Sequence, residues 1–230
     1  MKNLQEEQRI AAEAAVQLVQ SRMVVGLGTG STAAHAIRAL AARCQQGLRI
    51  TGIPTSERSG ELAIQLGIPL VPLERARQID ITIDGADEFD PALNLTKGGG
   101  GALLREKIVA FCSRQLVIVS DSNKQVQQLG VFPLPCEVLP FAASAVLDWM
   151  QQQYNIPIAI RQGKGEAAGT TYKTDQGNVI LDCHFGKIPD PVALANQLDK
   201  VPGLVGHGLF TGVADIVFMG TGSEVKEFRR

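Results

Sequence analysis

Short apolar runs that each end in a glycine-rich or acidic loop, with amphipathic stretches between them, most restrict the folds open to this chain. Residues 22–27, 48–53, 70–71, 79–83 and 116–119 read as brief buried strands. Residues 4–20, 31–44, 56–66 and 102–113 read as helices, the first with Ile10, Ala14, Ala15, Leu18 and Val19 on one stripe. Strands alternating with helices predict an α/β fold, a Rossmann-like and mostly parallel sheet with helices on both faces. Such sheets bind ligands beyond the carboxyl ends of their strands, so the chemistry is expected in the loops that follow them.

The pattern changes near Val131. VFPLPCEVLP holds three prolines in ten residues, which predicts an edge or connecting strand. A helix over 141–153, a strand over 156–161, a hairpin TTYKTDQGNVILDCHF turning at Gly177 and Asn178, and a helix over 191–199 follow. The chain then returns through 204–210 and 214–219. The expected organisation is an α/β catalytic domain of residues 1–130 and 206–230, with a smaller α+β domain of residues 131–205 inserted in it.

Bulk properties narrow the function. A formal net charge of -1 leaves no whole-chain footprint for nucleic acid or an anionic membrane. An anionic ligand must therefore be met by a local site. Cys44, Cys112, Cys136 and Cys183 are far apart with no C-x-x-C pair, against a zinc ribbon or redox motif and in keeping with a reducing compartment. The N-terminal stretch has no apolar h-region, and no window approaches 18 uninterrupted apolar residues. The expectation is a cytoplasmic protein.

Three loops carry the chemistry. In VVGLGTGST, Gly26, Gly28 and Gly30 permit a tight turn, and Ser31 and Thr32 place hydroxyls and free N–H groups at a helix start, where an anion is favoured. The dinucleotide fingerprint fails because Ser31 stands at its third glycine, and no Lys-Ser or Lys-Thr pair completes a P-loop. A phosphate on a small molecule remains. In IDGADEFD, Asp84, Asp87, Glu88 and Asp90 crowd carboxyl groups at a strand end, without the spacing of a Ca²⁺ loop. They are either solvated turn residues or groups that bind sugar hydroxyls and shuttle their protons. In KGGGGALLREK, Lys97 precedes four glycines and Glu106 follows them; alone, Glu106 would pass for a surface residue. Lys124, in SDSNK, adds a positive charge at the same end of the sheet.

VGLGTGSTAAH, DGADE, KGGGGALLREK, VSDSNK, FPLPCEV, GNVILDCHF and HGLF, in that order and from end to end, make the chain resemble the ribose-5-phosphate isomerase A family. The family commonly reads KGGGAALTREK, so Gly101 stands for an alanine and Leu104 for a threonine, departures expected to tune the loop rather than abolish activity. The resemblance implies a substrate site of Thr29, Gly30, Ser31, Thr32, Asp84, Gly85, Ala86, Asp87, Lys97, Gly98, Gly99, Gly100 and Lys124. It also implies Glu106 as proton acceptor, a homodimer or homotetramer, and the interconversion of ribose 5-phosphate and ribulose 5-phosphate in the pentose phosphate pathway without cofactor or metal.

That chemistry asks for these groups. Aldose–ketose exchange passes through an enediolate, so a base must move a proton between adjacent carbons while the developing oxyanion is stabilised. Glu106 would be the base, Lys97 and loop N–H groups the positive potential, and Asp84 or Asp87 the handler of hydroxyl protons and ring opening. Ser31, Thr32 and Lys124 would hold the phosphate. His35, His184 and His207 are isolated and are not expected to bind metal. The rivals are a non-catalytic sugar-phosphate sensor, for which only one helix precedes the first strand where a DNA-binding module would stand, and a related deaminase or acyl-coenzyme transferase.

Overall fold

The computed structural model describes residues 3–76, 78–163 and 165–230. Its first elements are α1 (Leu4–Val16), β1 (Val24–Leu27), α2 (Ser31–Gln45), β2 (Thr51–Pro54), α3 (Glu57–Gln65) and β3 (Ile81–Gly85). They are followed by β4 (Glu88–Phe89), β5 (Leu95–Thr96), α4 (Leu103–Phe111), β6 (Leu116–Asp121) and β7 (Leu134–Val138). Then come α5 (Ala143–Tyr154), β8 (Ile158–Ile160), β9 (Val179–Cys183), α6 (Pro191–Leu198), β10 (Leu204–His207), β11 (Leu209–Phe210), β12 (Ile216–Thr221) and β13 (Glu224–Arg229).

A six-stranded sheet of order β13-β12-β6-β3-β1-β2 forms the centre. It is parallel throughout except for β13, which pairs antiparallel with β12. Every residue of β6 is buried, as a strand covered on both faces must be. Its Val117 and Val119 pack on one face into a core with Ala11, Ala15, Ile37 and Leu40 of α1 and α2. Leu116 and Ile118 point the other way, into a cluster with Phe89, Leu95, Phe210 and Val217. On that second face α4 sits with Val109 against Ile53 and Ile79, and a small sheet of order β11-β5-β4 lies beside it. The α/β class and the parallel sheet are as expected. The small sheet and β13 were not anticipated, since two-residue strands have no period and β13 is almost wholly exposed.

A separate four-stranded antiparallel sheet, β10-β7-β9-β8, holds its own core of Leu134, Cys136, Val138, Leu181, Met150 and Leu198. Two expectations are corrected here. The proline-rich strand β7 is central, between β10 and β9, and not at an edge. Pro133 and Pro140 fall outside it; the carbonyl of Pro135 accepts from Gly208 N at 2.7 Å, on the side where pairing with β10 has already ended at His207↔Cys136. The missing N–H therefore costs no ladder bond. The expected hairpin is a turn without a first strand: Gly177 adopts φ 76°, and Thr174 N bonds Asn178 O at 3.0 Å, but β9 pairs with β7 and β8 instead. Among the described residues, no helix is long and apolar enough to cross a membrane.

Candidate active site

Three loops meet at the carboxyl ends of β1, β3 and β6. The backbone leaves β1 through Gly28, where a Cβ would lie 2.5 Å from the Cα of Asp84, so only glycine lets the first loop touch the second. Thr29 N donates to Asp84 Oδ1 at 3.0 Å, and Gly85 N to the same oxygen at 2.8 Å. Gly30, at φ 105°, then turns the chain into α2, whose first N–H groups have no partner within the helix. The Thr29 hydroxyl is occupied by Thr55 and Ser56 at 2.7 and 2.8 Å, which ties the first loop to the end of β2.

The acidic loop divides in two. Glu88 is buried and accepts from Gly130 N and Phe132 N at 2.8 and 2.7 Å. Asp90 accepts from Ala92 N and Asn94 N at 2.9 and 2.8 Å and so closes the β4–β5 turn. Both are structural. Asp84 and Asp87 turn to the site instead.

Lys97, 2% exposed, is the centre of a buried charge cluster. Its Nζ donates to Gly85 O at 2.5 Å and lies 3.0 Å from Asp84 Oδ2 and 3.5 Å from Glu106 Oε1. Burial alone would lower its pKa, but Asp84 and Glu106 together hold it above the ordinary lysine value. Glu106, on the first turn of α4, is pushed up to about 8: burial is the main cause, with Asp84 and Asp87 adding to it and Lys97 opposing. Its Oε2 is buried and has no hydrogen-bond partner among the described residues. Burial also raises Asp87, against the pull of the Gly99 N–H at 2.7 Å and of Lys97, Lys124 and Arg161.

These groups border a cleft with about 490 Å³ of empty space, open to solvent. It is lined by Thr29, Gly30, Ser31, Thr32, Gly85, Ala86, Asp87, Lys97, Gly98, Gly99, Gly100, Glu106 and Lys124. Thus every residue that the family resemblance assigned to the site reaches the cleft except Asp84, which is 1% exposed and stands behind Lys97; Glu88 and Asp90 of the acidic loop do not. Gln8 of α1 lines the cleft as well, its amide held by Asp121 Oδ2 at 2.8 Å. It belongs to no motif, and only the stripe of α1 could have placed it near the sheet end. Among the described residues, no group of three or more metal-ligating side chains comes together.

The two departures in the third loop now have a setting. Leu104 lies beside Gly206 of β10, an apolar contact between α4 and the smaller sheet. Gly101 adopts φ 83°, and a Cβ there would fall 2.2 Å from the Tyr172 hydroxyl. Gly101→Ala is expected to lose about 1–3 kcal/mol of stability by thermal denaturation. Adding Tyr172→Ala should return the steric share and leave the backbone share.

A buried carboxylate with one free oxygen, an adjacent lysine and a helix start suited to an anion define a class. This is an enzyme that moves protons on a small phosphorylated substrate. Comparison with known proteins is specific. The family described as ribose 5-phosphate isomerase A (phosphoriboisomerase A) matches residues 51–224. Curated ribose-5-phosphate isomerase A proteins of Parvibaculum lavamentivorans and Sphingopyxis alaskensis are 44% and 46% identical, over 95% and 98% of this chain and 96% and 97% of their own lengths. The solved structure of a D-ribose-5-phosphate isomerase in complex with phospho-erythronic acid superposes with TM-score 0.95 at 38% identity, covering 99% of this chain and 100% of that one. The Methanocaldococcus jannaschii ribose 5-phosphate isomerase A superposes with TM-score 0.91 at 40% identity, covering 97% and 98%. The chain belongs to the ribose 5-phosphate isomerase A family.

Proposed function

We propose that this isomerase interconverts D-ribose 5-phosphate and D-ribulose 5-phosphate through an enediolate, with Glu106 as the base. One observation carries the reading: a carboxylate buried at the wall of the cleft, with one oxygen on the Lys97 side and the other unpartnered. Its ionised form takes the proton from C2 of the open aldose and returns it to C1, and the reverse reaction uses the same group. The relatives' names and the ligand of the similar structure support this over a non-catalytic sensor.

The geometry favours a division of labour between the aspartates. Both oxygens of Asp84 are engaged, one by two backbone N–H groups and one by Lys97, so its work is to hold Lys97 in place. Asp87 lines the cleft and is the carboxylate we assign to hydroxyl protons and ring opening. Lys97, with three acceptors around its ammonium, acts through its charge; stabilisation of a developing oxyanion of this type is worth about 3–4 kcal/mol. Ser31, Thr32 and Lys124 take the phosphate. We also propose the domain division at residues 131 and 205, a homodimeric or homotetrameric assembly, and a cytoplasmic place in the non-oxidative branch of the pentose phosphate pathway.

The test is ribose 5-phosphate with the enzyme in heavy water. Label is expected to enter the sugar carbons during turnover. Because Glu106 must lose its proton to accept one, kcat/KM should rise with pH through about 8. Binding without any label incorporation would sink the reading.

A further inference from the structure

We propose that Arg161 is a positioning residue for the glycine turn, holding the Gly98 and Gly99 carbonyls so that the Gly99 N–H stays on Asp87. The inference rests on the isomerase reading above and extends it to a residue outside the cleft.

Residues 98–101 have no side chains with which to hold their own shape. Within the turn, Gly101 N bonds Gly98 O at 2.9 Å. The other grip comes from just past the end of β8. Arg161 Nη1 donates to Gly98 O at 2.8 Å and approaches Gly99 O at 3.4 Å. The rest of the guanidinium is locked by Asp182 of β9: Nε to Oδ2 at 2.9 Å and Nη2 to Oδ1 at 2.5 Å. The two side chains are only 13% and 21% exposed, so solvent weakens the pair little. A guanidinium is suited to this because one rigid plane can meet a carboxylate with one edge and carbonyls with another. The Gly99 N–H, so placed, reaches Asp87 Oδ2 at 2.7 Å.

Arg161 thus acts on Asp87 twice, through the turn it fixes and through its own charge. The groups facing Asp87 are Lys97 after β5, Lys124 after β6, Arg161 after β8, the Gly99 N–H, and Glu106 of α4 as the repelling charge. Removing Arg161 takes away one attraction and loosens another.

The experiment is Arg161→Met in the full chain, with folding checked by thermal denaturation. For the folded variant, kcat should fall on the order of tenfold or more while KM for ribose 5-phosphate moves less. The Gly99 amide proton resonance should move upfield as its carboxylate partner is lost. Arg161→Lys keeps the charge without the fork. There kcat should fall and the Gly99 resonance should still move, and it serves alone if Arg161→Met does not fold. Parental kcat, or a loss of kcat with the Gly99 resonance unmoved, would overturn the assignment. If the parent itself failed to isomerise, the fault would lie with the functional reading; the Gly99 resonance would still decide for or against Arg161.

Discussion

Glu106→Gln is expected to cut kcat by roughly 10²–10⁴-fold, the span a positioned general base contributes, while leaving ribose 5-phosphate binding almost unchanged. The substitution keeps the shape of the side chain and removes only its ability to accept a proton. It should also flatten a stability trend. The folded carboxyl titrates at about 8 and the unfolded one at 4.5, so the folded chain holds a proton that the unfolded chain releases between these values. Stability therefore declines as pH rises through that window, and glutamine abolishes the decline. Turnover, ligand titration and thermal midpoints against pH check the three parts. Turnover close to the parent's would remove Glu106 from the base role.

Lys97→Met should damage the fold and the chemistry together. It deletes the cation that offsets Asp84 and Glu106, both buried. Leaving such charges without their partner costs about 3–5 kcal/mol. Lys97 also restrains the upward shift of Glu106, so in its absence the base stays protonated further into the alkaline range. A loss of about three orders of magnitude in kcat/KM is expected from the two effects together. The double variant Asp84→Asn/Lys97→Met separates them. It should regain much of the lost stability, because Asp84 is no longer a stranded charge and Glu106, without Lys97, stays protonated, and little of the activity. Recovery of activity in the double variant would mean that Lys97 serves the fold alone.

The α/β class, the parallel sheet and nearly all of the cleft were legible in the sequence, for a definite reason. Loops at strand ends are contiguous in the chain, so Thr29 to Thr32, Asp84 to Asp87 and Lys97 to Gly100 could be found as short motifs. What was not legible came from chain-distant partners. Gln8 reaches the cleft because α1 packs against β6 and β12, and Arg161 grips the glycine turn from outside the cleft because the smaller sheet leans on that turn. Neither has a local signature. Glu88 and Asp90 look the same as Asp84 and Asp87 in the sequence, and only the amides that each one meets tell them apart. The proline-rich strand misled because a proline's cost depends on whether its N–H side faces a partner, which the count of prolines does not reveal.

The acid in α1 at position 7 carries a consequence of another kind. Its carboxylate, 1% exposed, receives Ser122 N at 3.0 Å and Gly222 N at 2.9 Å, joining the first helix to segments 115 and 215 residues further along. As the chain is synthesised, the apolar stripe of α1 can pack on α2 at once, but the Glu7 carboxylate meets Ser122 and Gly222 only much later. Gln8 follows Glu7 directly, so the rim of the cleft it supplies is completed only as α1 docks. A nascent chain short of Gly222 therefore has its sugar-phosphate loops made but still lacks one of the two amide contacts that fix Glu7.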